Sequence, residues 1–403
     1  MKKLLMLGGA FSQIPAIKKA KELGYYVITC DYLPKNPGHE FSDEYVNIST
    51  TDKEIVLEYA KKADVDGIIA YASDPSAATA AYVSEKMSLM GAGYNATCLL
   101  AEKDKFRVFQ KEIGCLFPKF FVVDTLSKLT KNIGKVPLPC IVKPVDASGS
   151  KGIQKIYSQS EIIEAYKYAV GYSRAKRVIF EEIINTPYCQ LHGEGFVYDK
   201  KLVFMELGDQ RFRDNVPIGT SYPSKLYESK RAIIWTNVEK IIQESGFQCG
   251  GLNIEARISE SGEVYVIEIG PRTGGNYMPQ LTEYSYGFDE VTAVLQTAMG
   301  DAGENLQLNK KIQNCFQYII GSPRNGKYKK IWIHDAYKDK VMAIYLHKKR
   351  GDEVHEYKNS SGVVGVAIFK FNTYIEMESF IENIHTYVKV ELEEEKYEEQ
   401  VVG

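Results

Sequence analysis

The sequence is poor in the residue patterns that build disulfide and zinc sites. Its seven cysteines are scattered with no pair at C-x-x-C spacing, and its six histidines occur singly with no H-E-x-x-H motif. The pattern therefore indicates neither a disulfide framework nor a zinc site, and we expect reduced, buried thiols.

Long apolar runs are also lacking. The apolar segment at residues 1–7 ends at Gly8 and Gly9, which is too early for the hydrophobic region of a signal peptide. No stretch approaches the roughly 18 uninterrupted apolar residues that a membrane-spanning helix needs. We therefore expect a cytoplasmic protein with no membrane partner.

The chain has no excess of charge of one sign. It contains 50 lysine and arginine residues against 52 acidic ones, for a formal net charge of -2. This balance gives no electrostatic argument for a nucleic-acid partner. With 403 residues, of which 44% are hydrophobic, the chain is long enough for roughly two to four domains.

Apolar runs alternate with helical patterns over the first 100 residues. Residues 4–7 and 26–30 are typical of buried strands, residues 14–23 of a helix between them, and Asp52 of the cap of a second helix. This alternation predicts a parallel sheet covered on both faces. After about residue 101 the pattern changes to shorter β-rich segments and helices, which is typical of α+β units.

Two glutamates lie on neighbouring strands of a predicted hairpin over residues 250–270. Side chains alternate between the faces of a strand, so Glu255 and Arg257 share a face, and Glu268 can meet Glu255 across the ladder. Facing like charges destabilise a sheet unless a cation lies between them, and Mg²⁺ commonly binds one or two carboxylates together with phosphate oxygens. The pair predicts a metal site, with Arg272 as a partner for phosphate. Solvent-facing glutamates are the alternative.

A lysine ends an otherwise apolar strand at residues 140–143. Burying Lys143 is costly without an anion, and the glycine-rich segment at residues 148–152 can bring backbone N–H groups close to phosphate oxygens. Together they predict a phosphate-binding lobe, although a plain hairpin turn is the alternative. The apolar strand at residues 178–184, with Glu181 and Glu182, is compatible with an adenine-binding edge or with a solvated edge strand.

In chain order, these segments resemble the ATP-grasp superfamily, which includes D-alanine:D-alanine ligases, biotin carboxylase, carbamoyl-phosphate synthase and L-amino-acid ligases. The resemblance covers nearly the whole chain and implies an α/β and α+β fold. It implies a Rossmann-like pre-ATP-grasp domain at residues 1–100, an ATP-grasp N-terminal lobe at 101–185, a C-terminal lobe with the metal site at 186–305, and a small β-rich domain at 306–403.

The resemblance also implies roles for individual residues. Lys105, in a D-K helix start, and Lys143 would bind the phosphates of ATP, and Glu255 and Glu268 would hold Mg²⁺ or Mn²⁺. The other implied nucleotide contacts belong to the closing loop, the adenine hinge and the ribose position, and they are Ser148, Gly149, Ser150, Lys151, Gly152, Glu181, Glu182, Ile184 and Gln190.

The family's E-x-N-x-R element is altered here. Arg272 falls at its arginine, but Gly270 replaces the asparagine and removes one expected metal ligand, so the number of metal ions stays open. A subgroup similar to carbamoyl-phosphate synthase has E-I-G-P-R at this place, so the change does not imply loss of activity.

The implied function is a cytoplasmic enzyme that phosphorylates a carboxylate with ATP and captures the acyl phosphate with an amine or a thiol, giving ADP and phosphate. Arg272, Lys143 and Arg257 would be the catalytic cations. The small-molecule substrates are not identified by the sequence, and the candidates for lining their pocket are Asp74, Asp209, Arg211, Arg213 and Asn276. Bicarbonate activation and a non-catalytic nucleotide-binding module stay open, and the resemblance implies a homodimer.

Two other nucleotide-binding motifs are incomplete. Gly8 and Gly9 follow the first strand but do not form G-x-G-x-x-G, so a dehydrogenase is not indicated. Residues 321–327 spell G-x-x-x-x-G-K, yet Tyr328 replaces the Ser or Thr that would bind magnesium.

Overall fold

The computed structural model describes residues 1–147, 149–213, 216–301 and 311–393. The strands are β1 (Lys3–Leu7), β2 (Tyr26–Cys30), β3 (Glu44–Val46), β4 (Gly67–Ile69), β5 (Phe120–Val123), β6 (Cys140–Pro144), β7 (Gln154–Ile156), β8 (Val178–Glu182), β9 (Gln190–Tyr198), β10 (Lys201–Arg213), β11 (Val216–Tyr222), β12 (Gly250–Ile258), β13 (Val264–Gly270), β14 (Asn314–Gly321), β15 (Gly326–Ile333), β16 (Val341–Leu346), β17 (Glu353–Val354), β18 (Val363–Phe371) and β19 (Val388–Leu392).

The α-helices are α1 (Ile14–Glu22), α2 (Lys53–Ala63), α3 (Asp74–Lys86), α4 (Tyr94–Ala101), α5 (Lys103–Glu112), α6 (Leu126–Lys131), α7 (Ile162–Tyr172), α8 (Lys225–Ser245), α9 (Met278–Tyr286), α10 (Glu290–Ala298), α11 (Tyr374–Glu382) and α12 (Ile384–Tyr387). Within the part of the chain that the structure describes, no helix combines the length and the apolar character needed to cross a bilayer.

The first sheet is parallel and has the strand order β3-β2-β1-β4. Helices cover this sheet, which agrees with the apolar composition of its strands. Leu5 and Ile28 are cross-strand partners inside the core. Asp52 caps α2, since the Ile55 N–H donates to its carboxylate at 3.3 Å. The predicted Rossmann-like α/β opening is confirmed.

The second sheet is antiparallel, with the order β5-β8-β6-β7. The helix α7 packs on β6, and buried side chains such as Val142 and Phe180 form the core beneath it. The strand β8 lies in the middle of this sheet and carries Glu181. The α+β texture predicted after residue 101 is confirmed by this lobe.

The third sheet has eight strands in the order β13-β12-β9-β10-β11-β14-β18-β16. It crosses the domain boundary predicted at residue 305, because β14 pairs with β11 and Phe316 lies opposite Ser221. The main chain in the buried middle of β14 needs hydrogen-bond partners on both sides, and β11 and β18 supply them. A smaller sheet, β17-β15-β19, lies outside it.

The second and third sheets meet where α5 and β8 approach the β12–β13 hairpin. Arg107 on α5 donates to the main-chain oxygen of Ile267 on β13 at 2.6 Å, and Gln110 donates to that of Val266 at 2.9 Å. These bonds fix α5 against the third sheet, and the charged residues described next lie around this junction.

Candidate functional site

Two carboxylates face each other on the β12–β13 hairpin. Glu255 and Glu268 are direct cross-strand partners, as the alternation of side chains predicts. Burial, together with the negative charge of Glu268, raises the pKa of Glu255 to about 7. A divalent cation between them would remove this repulsion.

The donor set fits a hard cation that is shared with a ligand. Among the described residues there is no cluster of three or more His, Cys, Asp or Glu side chains able to hold a metal ion. Two facing carboxylates suit Mg²⁺, which usually completes its octahedron with water and phosphate oxygens. Glu255 and Glu268 could therefore hold such an ion only together with water or the phosphate oxygens of a ligand.

The lysine that approaches this pair is Lys103. Its Nζ lies 3.2 Å from Glu268 Oε2 and donates to the main-chain oxygen of Ala147 at 3.1 Å. Burial alone would lower the pKa of Lys103, but the charge and hydrogen bond of Glu268, with the charges of Asp74 and Glu181, together raise it above its ordinary value.

The sequence interpretation places Lys105 on the phosphates, and the structure differs. The Lys105 ammonium is half-exposed and pairs with Glu102 at 2.6 Å. The helix α5 begins at Lys103, two residues before the predicted start. Because two residues on a helix are about 200° apart, Lys103 and Lys105 lie on opposite sides of α5, and Lys103 faces the glutamates.

Lys143 and Glu181 form a buried ion pair with Arg107. Lys143 Nζ contacts one Glu181 oxygen at 2.5 Å, and Arg107 Nε lies 2.8 Å from the other. Burial would raise the pKa of Glu181, but the charges of Arg107 and Lys143 bring it down to about 2. Both Glu181 oxygens are thus engaged by cations, which differs from the predicted nucleotide contact of this residue.

The rest of the predicted adenine hinge lies at the end of β8. The Glu182 carboxylate accepts from the Lys119 N–H at 2.8 Å on the outer side of the lobe, and Ile184 is buried. Alternation along the strand explains why Glu181 and Glu182 point in opposite directions.

The glycine-rich segment joins the hydrogen-bonded strands β6 and β7. Gly149, Ser150 and Gly152 have φ values of +68°, +60° and +73°, a tightly turned backbone. Ser148 lies outside the described residues, Lys151 is exposed, and Gly152 is buried. A Cβ on Gly149 would lie 2.6 Å from Ser360 Oγ, so the turn lies directly against the C-terminal region.

Arg257 lies beside the predicted ribose position. Its Nε donates to Gln190 Oε1 at 3.0 Å, and Gln190 Nε2 donates to Gln210 Oε1 at 2.9 Å. Burial lowers the pKa of the Arg257 guanidinium. The three side chains form one buried polar chain across β12, β9 and β10.

Arg272 is held by an aspartate from the first domain. Its Nε and Nη2 donate to the two oxygens of Asp74, both at 2.7 Å, and its Nη1 donates to the Thr273 oxygen at 2.9 Å. A Cβ on Gly270 would lie 3.3 Å from Arg272 Cζ and 3.4 Å from Asp74 Oδ1. A side chain at position 270 would therefore contact the Asp74–Arg272 ion pair.

The other predicted substrate residues contact protein groups. Arg211 Nη2 donates to both oxygens of Glu378 on α11 at 2.8 Å, and it lies 3.6 Å from Asp209. Arg213 lies beside the Tyr318 hydroxyl. Asn276 has φ of +52°, and its main-chain oxygen accepts from Gln317 at 2.7 Å. Asp74 contacts Arg272, whereas Arg211 is directed toward α11.

Sequence reasoning missed His192 on β9. It is the cross-strand neighbour of Glu255, its Nδ1 lies 3.0 Å from Thr220 Oγ1, and Asn253 Nδ2 contacts its Nε2 at 2.9 Å. Burial, and then the Arg272 charge, lower the pKa of His192 to about 4. A neutral imidazole thus lies beside the acidic pair. A lone histidine on a strand gives no motif, and only the register of β9 against β12 could have identified it.

Comparison with known proteins agrees with this architecture. Residues 136–280 match the family described as the ATP-grasp domain. The chain is 27% identical over 188 residues to the formate-dependent phosphoribosylglycinamide formyltransferase of Bacteroides thetaiotaomicron, covering 46% of this chain and 48% of that protein. The chain thus spans about half the length of the curated relatives it matches.

Solved structures share the fold over nearly the whole chain. An L-amino acid ligase from Bacillus licheniformis superposes with a TM-score of 0.81 at 20% identity, covering 98% of this chain and 99% of its own. A phosphoribosylglycinamide synthetase from Anaerococcus prevotii gives a TM-score of 0.77 at 24% identity, covering 97% and 100%. The matched segment is similar to an ATP-grasp domain, and the two structures show that the chain shares their fold.

Proposed function

We propose that the chain is an ATP-dependent carboxylate–amine ligase that works through an acyl phosphate and gives ADP and phosphate. The observation that carries the proposal is the gathering of cations around two facing carboxylates. Lys103 contacts Glu268, and the charges of Lys143 and Lys103 act on Glu255. An arrangement of this kind suits the phosphates of ATP together with a divalent ion.

The two lysines would bind the phosphates of the nucleotide. Lys143 and Lys103 are both buried, and each is held by a carboxylate, Glu181 for Lys143 and Glu268 for Lys103. Ammonium groups that are held fixed in a site without water stabilise the charge of a transferring phosphoryl group better than solvated ammonium groups do. Bound Mg²⁺ or Mn²⁺, held by Glu255 and Glu268, would supply further neutralisation of the phosphate oxygens.

Arg272 would orient the substrate carboxylate and the acyl phosphate formed from it. Asp74 holds the guanidinium in one plane by two bonds of 2.7 Å, and the charge of Glu268 also acts on Arg272, which supports a position close to the two facing glutamates. A planar guanidinium matches a carboxylate or phosphate with two parallel hydrogen bonds.

Exclusion of water would protect the intermediate until the amine arrives. The turn at residues 149–152 follows the strand that carries Lys143, and Ala147 at its base accepts from Lys103. Its movement on nucleotide binding would cover the phosphates, which limits hydrolysis of an acyl phosphate. The amine then attacks the carbonyl carbon, an amide or dipeptide-like bond forms, and phosphate leaves.

Related proteins support a carboxylate substrate. Several curated relatives are named formate-dependent phosphoribosylglycinamide formyltransferase, and an L-amino acid ligase shares the fold over nearly the whole chain. We also propose a homodimer, supported by a neighbouring biotin carboxylase domain that forms a dimer. Light scattering at several concentrations tests that assembly. A cytoplasmic location stays a prediction.

The proposed activity is tested by ADP release from Mg-ATP in the presence of pooled amino acids and small carboxylates. We expect release that needs a carboxylate and an amine together, and its loss in Glu268→Gln. The matched control is Glu263→Gln, an exposed acid in the turn of the same hairpin. Release stimulated by bicarbonate alone, or binding of ATP without release, would contradict the proposal and favour bicarbonate activation or a nucleotide-binding module.

A further inference from the structure

A second pair of carboxylates lies behind the segment that carries Arg272. Glu194 on β9 and Glu290, the first residue of α10, are both fully buried, and their carboxyl groups lie within hydrogen-bonding contact of each other. No donor among the described residues reaches either oxygen of Glu290. Two ionised carboxylates in such contact repel strongly without water or a cation, so the pair holds at least one proton.

The hydrogen-bond partners of the pair are unequal. Glu194 Oε2 accepts from the Gly274 N–H at 2.8 Å, and Glu194 Oε1 accepts from Asn253 Nδ2 at 3.1 Å. Asn253 Nδ2 also donates to the Gly193 oxygen at 3.1 Å. An ionised carboxylate is an acceptor only, which suits the donors around Glu194. Glu290 meets no donor, so an O–H on Glu290 directed at Glu194 satisfies both groups.

Close packing shows that the surroundings are built around the pair. A Cβ on Gly274 would lie 2.0 Å from Glu194 Oε1, and a Cβ on Gly251 would lie 3.0 Å from Glu290 Oε1. Only glycine lets the main chain come this near to Glu194. Burial raises the pKa of Glu290 well above its ordinary value, and it raises that of Glu194 to about 7. Both directions agree with a shared proton at neutral pH.

We propose that Glu290 is a protonated positioning residue that donates a hydrogen bond to the Glu194 carboxylate. Glu194 in turn fixes Gly274 and Asn253 on either side of the segment that carries Arg272. Asn253 is the cross-strand partner of Gly270, and Gly274 follows Arg272 by two residues. Glu194 thus anchors β12 and the segment that follows β13, at the point where the arginine leaves the sheet. The inference rests on the proposed function only in that Arg272 must be placed for a carboxylate substrate.

Two isosteric variants separate the roles. Glu290→Gln keeps an N–H donor toward Glu194, so we expect Mg-ATP affinity and amino-acid-dependent ADP release within about twofold of wild type. Glu194→Gln places an amide among three donors, so we expect kcat/KM for the pooled amino acids to fall about tenfold, mainly through KM, with the Kd of Mg-ATP unchanged. The opposite asymmetry would overturn the assignment of the proton.

A spectroscopic measurement tests the proton without turnover. The infrared difference spectrum between wild type and Glu290→Gln at neutral pH should show the carbonyl stretch of one protonated carboxylic acid, and the difference with Glu263→Gln should not. A difference spectrum without that band would overturn the proposal even if Glu194→Gln fails to fold. If wild type releases no ADP with any carboxylate, the proposed function fails while the infrared result still decides the state of Glu290.

Discussion

Lys103 and Glu268 lie 3.2 Å apart, from Nζ to Oε2, although they belong to different lobes. The contact joins the first residue of α5 to β13, the strand that carries Glu268. This contact favours Lys103 as the lysine beside the nucleotide phosphates, whereas the D-K motif favoured Lys105.

Replacing Lys103 by methionine should weaken nucleotide binding, because a buried ammonium beside the phosphates would be lost. We expect the Kd of Mg-ATP to rise at least about tenfold, roughly 1.4 kcal/mol or more. Lys105→Met is the matched control, since Lys105 is half-exposed and pairs with Glu102, and its Kd should stay within about twofold. Titration calorimetry measures both, and equal losses would contradict the assignment of Lys103.

The buried ion pairs of Glu181 should make stability depend on acid pH. Its pKa is about 2 in the folded chain against an ordinary value of 4.5. A carboxylate with a lowered pKa contributes its stability above pH 4.5 and loses it as the pH falls toward 2. The unfolding free energy of wild type should exceed that of Glu181→Gln by about 3 kcal/mol at pH 7, and the difference should shrink by pH 3.

Urea unfolding of the two proteins at pH 7, 5 and 3 measures this dependence. Glu164→Gln, an exposed acid paired with Lys167 on α7, serves as the control and should show no such trend. A difference that is constant with pH would mean that Glu181 is not held ionised by its cations.

The Asp74–Arg272 pair should couple the first domain to the C-terminal lobe. Asp74→Asn would leave a largely buried guanidinium with one weaker partner, so we expect a loss of about 1–3 kcal/mol, allowing for the partial exposure of Asp74. Urea unfolding measures it, with Asp335→Asn as an exposed control. An Asp74→Asn protein as stable as wild type, with unchanged KM for its carboxylate, would contradict the positioning role.

Much of the fold could be predicted from the sequence because its signals are local. The strand predicted at residues 26–30 agrees with β2 to the residue, since apolar runs end at polar or turn residues. The facing of Glu255 and Glu268 followed from a period of two in a hairpin. Sheet membership beyond β13 depends on long-range pairing, and no local pattern indicates that β14 joins β11.

The finer parts of the site depended on tertiary contacts. A shift of two residues along α5, little more than half a turn, exchanges Lys103 for Lys105, and the sequence shows two lysines without a preference. No local sequence pattern distinguishes a Glu181 that contacts a nucleotide from one that pairs with two cations. Glu194 and Glu290 are 96 residues apart, so only the packing of α10 against β9 and β12 reveals them as a pair.

Transfer of ¹⁸O from a substrate carboxylate to phosphate tests the acyl phosphate most directly. The enzyme would turn over Mg-ATP with pooled amino acids whose carboxylates carry ¹⁸O, and the released phosphate would be analysed by mass spectrometry. The account predicts one ¹⁸O atom in each phosphate formed in an amine-dependent turnover, and none with Glu268→Gln. Phosphate that carries no label in spite of amine-dependent ADP release would contradict carboxylate activation by this chain.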